Sequence, residues 1–146
     1  MTVHRSCKDY DWESVPVLMY KEDGTHFKDI TRRILFDGTS GIDTQLRYFE
    51  IQPGGYSTLE SHEHIHQVLI LRGCGRALVG DKIIELKKFD CVEIKPLTWH
   101  QFQAGSEEPF GFLCLVAVDR DRPHRPTATE LEVLCSDDRI ANYIRL

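Results

Sequence analysis

The chain has 146 residues, 41% of them hydrophobic and 28% charged, which suits one globular domain with a core of its own. A formal charge of -5 and a pI near 5.8, with no basic cluster, argue against a nucleic-acid partner. No apolar run is long enough to span a membrane, and Met1 to Cys7 lack a signal-peptide core, so a cytoplasmic protein with no membrane partner is expected. The cysteines, Cys7, Cys74, Cys91, Cys114 and Cys135, are odd in number and contain no Cys-x-x-Cys pair. They read as free thiols, not as a disulfide framework or zinc finger.

In chain order, the first part is the least regular. Ser14 to Tyr20 reads as a short extended piece whose Pro16 suits an edge, and Asp23-Gly24 as a turn. Ile30 to Phe36 reads as a strand, Asp37 to Gly41 as a loop, and Gln45 to Ile51 as a second strand rich in aromatic and branched residues. Gln52-Pro53-Gly54-Gly55 is expected to reverse the chain in a tight bend.

After a histidine-rich segment, Gln67 to Leu71 reads as a buried strand that Arg72 to Gly75 breaks. Arg76 to Val79 and Lys82 to Leu86 form a hairpin about the two-residue connection Gly80-Asp81. Cys91 to Lys95 alternates as a half-exposed strand does, Pro96-Leu97-Thr98 is a turn, and Trp99 opens the next strand. Gly105 to Pro109 is a hairpin loop, and Phe110 to Val118 is the most apolar strand. Strands separated by turn signals at such short spacing are the signature of an all-β sandwich or barrel. Beyond Pro126, Thr127 or Thr129 caps a helix running to about Cys135, and Ser136 caps a second, with Leu131, Leu134, Ile140, Tyr143 and Ile144 as the packing face.

The stretch with chemistry in it is Glu60-Ser61-His62-Glu63-His64-Ile65-His66, with His100 far downstream. Glu60, His62, His64 and His66 stand two apart, so in an extended chain they project to one side. Imidazole and carboxylate ligands suit a divalent transition metal: Mn, Fe, Ni or Zn, with Cu also within range.

This pattern resembles the cupin superfamily, and in particular small single-domain metal-binding cupins of the RmlC-like type. The first family motif reads here as Gly55, Glu60-Ser61-His62, His66 and Gly73, and the second as Pro96-Leu97-Thr98-Trp99-His100. The resemblance implies an antiparallel double-stranded β-helix, the jelly-roll barrel. Residues 1-43 would complete the barrel with strands and loops, 44-120 would form the core with both motifs, and 121-146 a helical tail. Aligning the motif on His62-x-His64 would put the third ligand at Val68 or Leu69, whereas aligning it on Glu60-x-His62 puts it at His66 and fits the distance to Gly73. The resemblance therefore implies Glu60, His62, His66 and His100 as ligands of one metal, with His64 in a turn outside the set. The chain departs from the family in carrying Glu where His is usual and His where Glu is usual. Lys87-Lys88-Phe89-Asp90 stands in place of a Pro-Gly-Asp turn, and the second motif lacks its glycine.

Only one of the neighbours Arg47 and Tyr48 can face the barrel interior, Trp99 should face away from His100's site, and Cys114 reads as a buried thiol. The leading functional expectation is an enzyme acting on a small organic molecule, an oxygenase, lyase, isomerase or hydrolase, with Glu60 as ligand or general base. The alternative is a non-catalytic cupin that binds a small ligand or metal. Apolar residues on both faces of Gln67 to Leu71, with the family's habit, imply a homodimer.

Overall fold

The computed structural model describes residues 2–22, 24–39 and 41–146; Asp23 of the expected turn and Ser40 of the expected loop lie outside them. Two leading strands, β1 (Ser6–Lys8) and β2 (Asp11–Trp12), pair as a small separate sheet. Of the extended piece expected at Ser14 to Tyr20, only β3 (Leu18–Met19) is strand, on the edge of β4 (Lys28–Phe36). Then follow β5 (Thr44–Tyr56), β6 (His66–Arg72), β7 (Cys74–Val79), β8 (Lys82–Lys87), β9 (Cys91–Ile94), β10 (His100–Ala104) and β11 (Phe110–Ala117). Their hydrogen-bonded order is β8-β7-β10-β5-β11-β6-β9, antiparallel throughout, with β4 also on β5. This is the all-β jelly-roll barrel that the turn spacing and motifs predict.

β5 is the strand about which the sheet divides. Residues Thr44 to Ile51 lie between β4 and β11, while Tyr56 at its far end faces Gln103 of β10. Instead of reversing at Gln52-Pro53-Gly54-Gly55, as the sequence leads one to expect, the chain continues as strand and changes partner there. The register explains how: Lys28 faces Tyr56 and Ile30 faces Ile51, so β5 bulges outward between them. Gly54 takes a φ of 73°, open to glycine without strain. A side chain at Gly55 would meet the carbonyl oxygens of Lys28 and Gln52 at 2.6 and 2.9 Å. The glycines therefore make a corner in one strand, not a hairpin.

Alternation decides what faces inward. On β5 Phe49 and Ile51, on β6 Val68 and Ile70, and on β11 Phe110, Phe112, Cys114 and Val116 share one buried core with Ile30 and Phe102. The Phe102 and Phe112 rings stack at 4.7 Å and the Phe49 and Phe112 rings at 5.6 Å. Tyr48 points the other way and is fully buried beneath Tyr10 and Trp12.

The tail consists of α1 (Ala128–Leu134) and α2 (Asp138–Tyr143). Thr127 caps α1 in a reciprocal box with Glu130. The cap of α2 is Asp137, where Ser136 was expected; the Asp137 carboxylate accepts from the Arg139 backbone N–H, while the Ser136 hydroxyl donates back to the Val133 carbonyl. Leu131, Leu134, Ile140, Tyr143 and Ile144 pack with Leu59, Leu78 and Trp99 into a second apolar cluster. No helix among the described residues is long and apolar enough to cross a membrane.

Candidate metal centre

Two backbone arrangements bring the histidines together. The segment from Ser57 runs antiparallel to the start of β10: the Ser57 N–H donates to the Phe102 carbonyl at 2.9 Å, and Glu60 and His100 exchange backbone hydrogen bonds of 3.1 and 3.0 Å. Glu60 and His100, distant in sequence, thus become direct cross-strand neighbours. The chain then bends at Glu63-His64. Asp121, in the loop after β11, accepts from the Glu63 and His64 backbone N–H groups at 2.8 and 3.0 Å and fixes the bend. His66 opens β6 opposite Ile94 of β9.

The imidazole of His62 lies 4.5 Å from that of His66 and 4.9 Å from that of His100, and the His66 and His100 rings are 5.4 Å apart, all between centroids. One nitrogen of each lies within 4.8 Å of the other two. A backbone carbonyl only accepts, so His62 Nδ1–H donates to the His64 carbonyl at 2.8 Å and His100 Nδ1–H to the Thr98 carbonyl at 2.9 Å. Each Nε2 is left with a free lone pair, and both are buried with no hydrogen-bond partner among the described residues. Leaving a polar atom so costs about 1–3 kcal/mol, a cost that a cation shared between them removes. A carbonyl holding the far nitrogen is also how metal-binding histidines are usually oriented. The residues present therefore fit a transition-metal ion.

Burial, reinforced by the neighbouring histidines, holds His62 down to about 4. It holds His66 and His100 below the usual histidine value too, although Glu60 pulls His100 upward. At neutral pH the three rings are uncharged, the state in which imidazole binds a metal.

His62, His66 and His100 of the expected set come together. Glu60, 6% exposed, stands beside them with its Oε2 held by Lys21 Nζ at 2.5 Å. His64 lies in the bend, yet its ring stacks on His62 at 3.6 Å, its Nδ1–H donates to Asp121 at 2.6 Å, and its Nε2 is 3.1 Å from that of His66. His62, His64 and Asp121 form a second grouping of candidate ligands that shares His62 with the first. The even spacing of the histidines contained a signal for His64. Nothing local in the sequence pointed to Lys21 or Asp121, whose roles come from long-range topology.

A cavity of about 220 Å³ opens on the cluster, bordered by Glu60, His64, His66 and His100. Ile30, Phe49, Phe102 and Phe112 form its apolar lining, and Tyr20, Lys21, Arg32, Arg47, Cys114 and Arg120 its polar one. Of the neighbours on β5, Arg47 is the one facing the cavity, directly opposite Cys114 of β11. Its Nη2 donates to Cys114 Sγ at 3.5 Å; burial nonetheless pushes the thiol upward. Tyr48 donates its hydroxyl to Glu50 on the other face.

A cupin domain profile matches residues 47–116. A protein of Rhodospirillum rubrum named 1-methylthio-D-xylulose 5-phosphate methylsulfurylase is 46% identical over 136 residues, 92% of this chain and 86% of that one. The chain belongs to the cupin superfamily. Among solved cupins, a cupin 2 conserved barrel domain protein from Rhodopseudomonas palustris superposes with a TM-score of 0.94 at 43% identity, covering 99% of this chain and 100% of that one. A cupin-2 domain protein from Rhodospirillum rubrum gives 0.87 at 44% identity, covering 93% and 91%. In this cupin, the two family motifs meet through the backbone bridge between Glu60 and His100.

Proposed function

We propose that this cupin is a metal-dependent enzyme that removes the methylthio group from a 1-methylthio ketose phosphate. The observation that carries the reading is 46% identity, over nearly the whole chain, to a relative named for acting on 1-methylthio-D-xylulose 5-phosphate. The site adds physical support. Such a substrate has a thioether at C1, a ketone at C2 and a phosphate at the far end. When the methylthio sulfur is taken by a thiol acceptor, the C1–S electron pair stays on carbon and spreads to the ketone oxygen, and C1 then gains a proton. A divalent metal held by His62, His66 and His100 would supply Lewis-acid polarisation of that oxygen.

Glu60, beside the cluster and bridged to Lys21, is assigned to take the proton that the acceptor thiol loses and pass it to C1, with Lys21 keeping the carboxylate oriented. Burial raises the Tyr20 hydroxyl far above its usual range, so it stays protonated and can donate a hydrogen bond to a substrate oxygen. Ile30, Phe49, Phe102 and Phe112 line the space for the methyl and carbon chain and keep water from the reacting carbon.

The test is incubation of metal-loaded protein with 1-methylthio-D-xylulose 5-phosphate and a low-molecular-weight thiol, following the S-methyl proton signal. Conversion of the thioether signal to a new methylthio species, with a new C1 methyl signal, is expected. Unchanged substrate at saturating concentration would overturn the reading and leave a non-catalytic ligand-binding cupin.

A further inference from the structure

Three arginines border the cavity with no anionic partner among the described residues. Arg32 on β4, Arg47 on β5 and Arg120 after β11 come from separate parts of the chain. Among the described residues none of them makes an ion pair: Glu60 is held by Lys21, Asp121 by His64, Glu50 by Arg72 and Asp11 by Arg33. Arg47 is 8% exposed; its Nε is buried without a partner, and Nη2 reaches the uncharged Cys114 sulfur. The Nε of Arg32 is also buried and unpartnered. Arg120 donates to Gln45 Oε1 and to the carbonyls of Ala117 and Val118, all neutral acceptors.

A guanidinium cannot shed its proton to escape burial. The three charges also feel one another: burial and the Arg47 and Arg32 charges hold Arg120 below its ordinary value. Gathered cations with unused N–H donors, facing a cavity, need a ligand that brings negative charge and several acceptor oxygens. A carboxylate offers one charge and two oxygens in a plane. A phosphate monoester offers up to two charges and three oxygens in a pyramid, which matches three forks approaching from two strands and a loop.

We propose that Arg32, Arg47 and Arg120 bind the phosphate monoester of the substrate, in the cavity that the histidine cluster borders. The sugar part of this assignment rests on the proposed function; the anion site itself rests on the arginines. With the phosphate held there, the ketose chain runs along Phe49, which pairs opposite both Arg32 and Phe112, toward the histidines.

The experiment is calorimetric titration of metal-loaded protein with D-xylulose 5-phosphate, D-xylulose and inorganic phosphate. The wild type, Arg32→Gln and Arg120→Gln are compared; both arginines are only half-buried, which favours folding of the variants. Thermal melts confirm that they fold, and Arg47→Lys is a third variant that keeps the buried charge. D-Xylulose 5-phosphate should bind about 100-fold more tightly than D-xylulose, and each Gln variant should lose about tenfold or more in affinity for both phosphate ligands. Equal binding of D-xylulose and its phosphate, or unchanged phosphate binding in folded Gln variants, would overturn the proposal. Phosphate-selective binding without methylthio turnover would support the anion site while removing the proposed reaction.

Discussion

Replacing His100 with Ala tests the metal centre through stability, without reference to turnover. In the metal-free protein the substitution removes the Nδ1–H bond to the Thr98 carbonyl, worth about 1 kcal/mol, and some ring packing. It also removes the buried Nε2 that has no partner, returning about 1–3 kcal/mol. The hydrogen-bond and Nε2 contributions nearly offset, so what remains is the packing lost around a buried ring, and metal-free His100→Ala should be destabilised by about 2–4 kcal/mol relative to the metal-free parent. With metal the balance changes. At a free metal concentration 100 times its dissociation constant, the parent gains about 2.7 kcal/mol, and a variant lacking one of three buried ligands should lose most of that gain. The assay is urea denaturation followed by tryptophan fluorescence, with and without Mn or Zn, for both proteins. A parent whose midpoint is indifferent to metal, or a variant that gains as much as the parent, would refute the argument from the unpartnered nitrogens.

Other consequences follow from the same geometry. Asp121→Ala deprives the Glu63-His64 bend of its acceptor, and metal affinity measured by competition with a chelator should fall about 10–100-fold. Glu60→Gln should lower turnover by about 10²–10⁴-fold while metal content by mass spectrometry stays near the parent's, because the three imidazoles remain; parallel loss of metal would make Glu60 a ligand instead. Acid should destabilise the metal-free protein: His62 is held from 6.5 to about 4 in the fold, so between these values the unfolded chain binds a proton that the folded chain does not. Stability therefore falls as pH drops, by about 2 kcal/mol from this residue between pH 6.5 and 5, and denaturant midpoints across that range measure it.

Much of the barrel was legible because turns are local. Gly80-Asp81 specifies a hairpin whose flanking residues Val79 and Lys82 do pair, and the apolar spacing of the tail gave the face that packs on Leu59 and Leu78. The Pro53-Gly54-Gly55 corner is not legible in the sequence, because glycine at positive φ serves a bulge as well as a reversal; which occurs depends on β10 and β4 being there to receive the strand. The histidine cluster was visible in the spacing of residues 60 to 66 and in His100. The contact of the His64 ring with His62 and His66 was not, since it depends on Asp121 reaching back from the loop after β11 to pin the bend. The arginines were still less visible. Arg32, Arg47 and Arg120 look like ordinary strand and loop residues until β4, β5 and β11 are laid side by side.

The most direct test of the account is a metal titration of chelator-stripped protein, with turnover of 1-methylthio-D-xylulose 5-phosphate measured at each step. Activity absent at the start, rising linearly and levelling at one equivalent per chain, is the result predicted for a single ion on His62, His66 and His100. Full activity in the stripped protein, or none at any metal level, would contradict it.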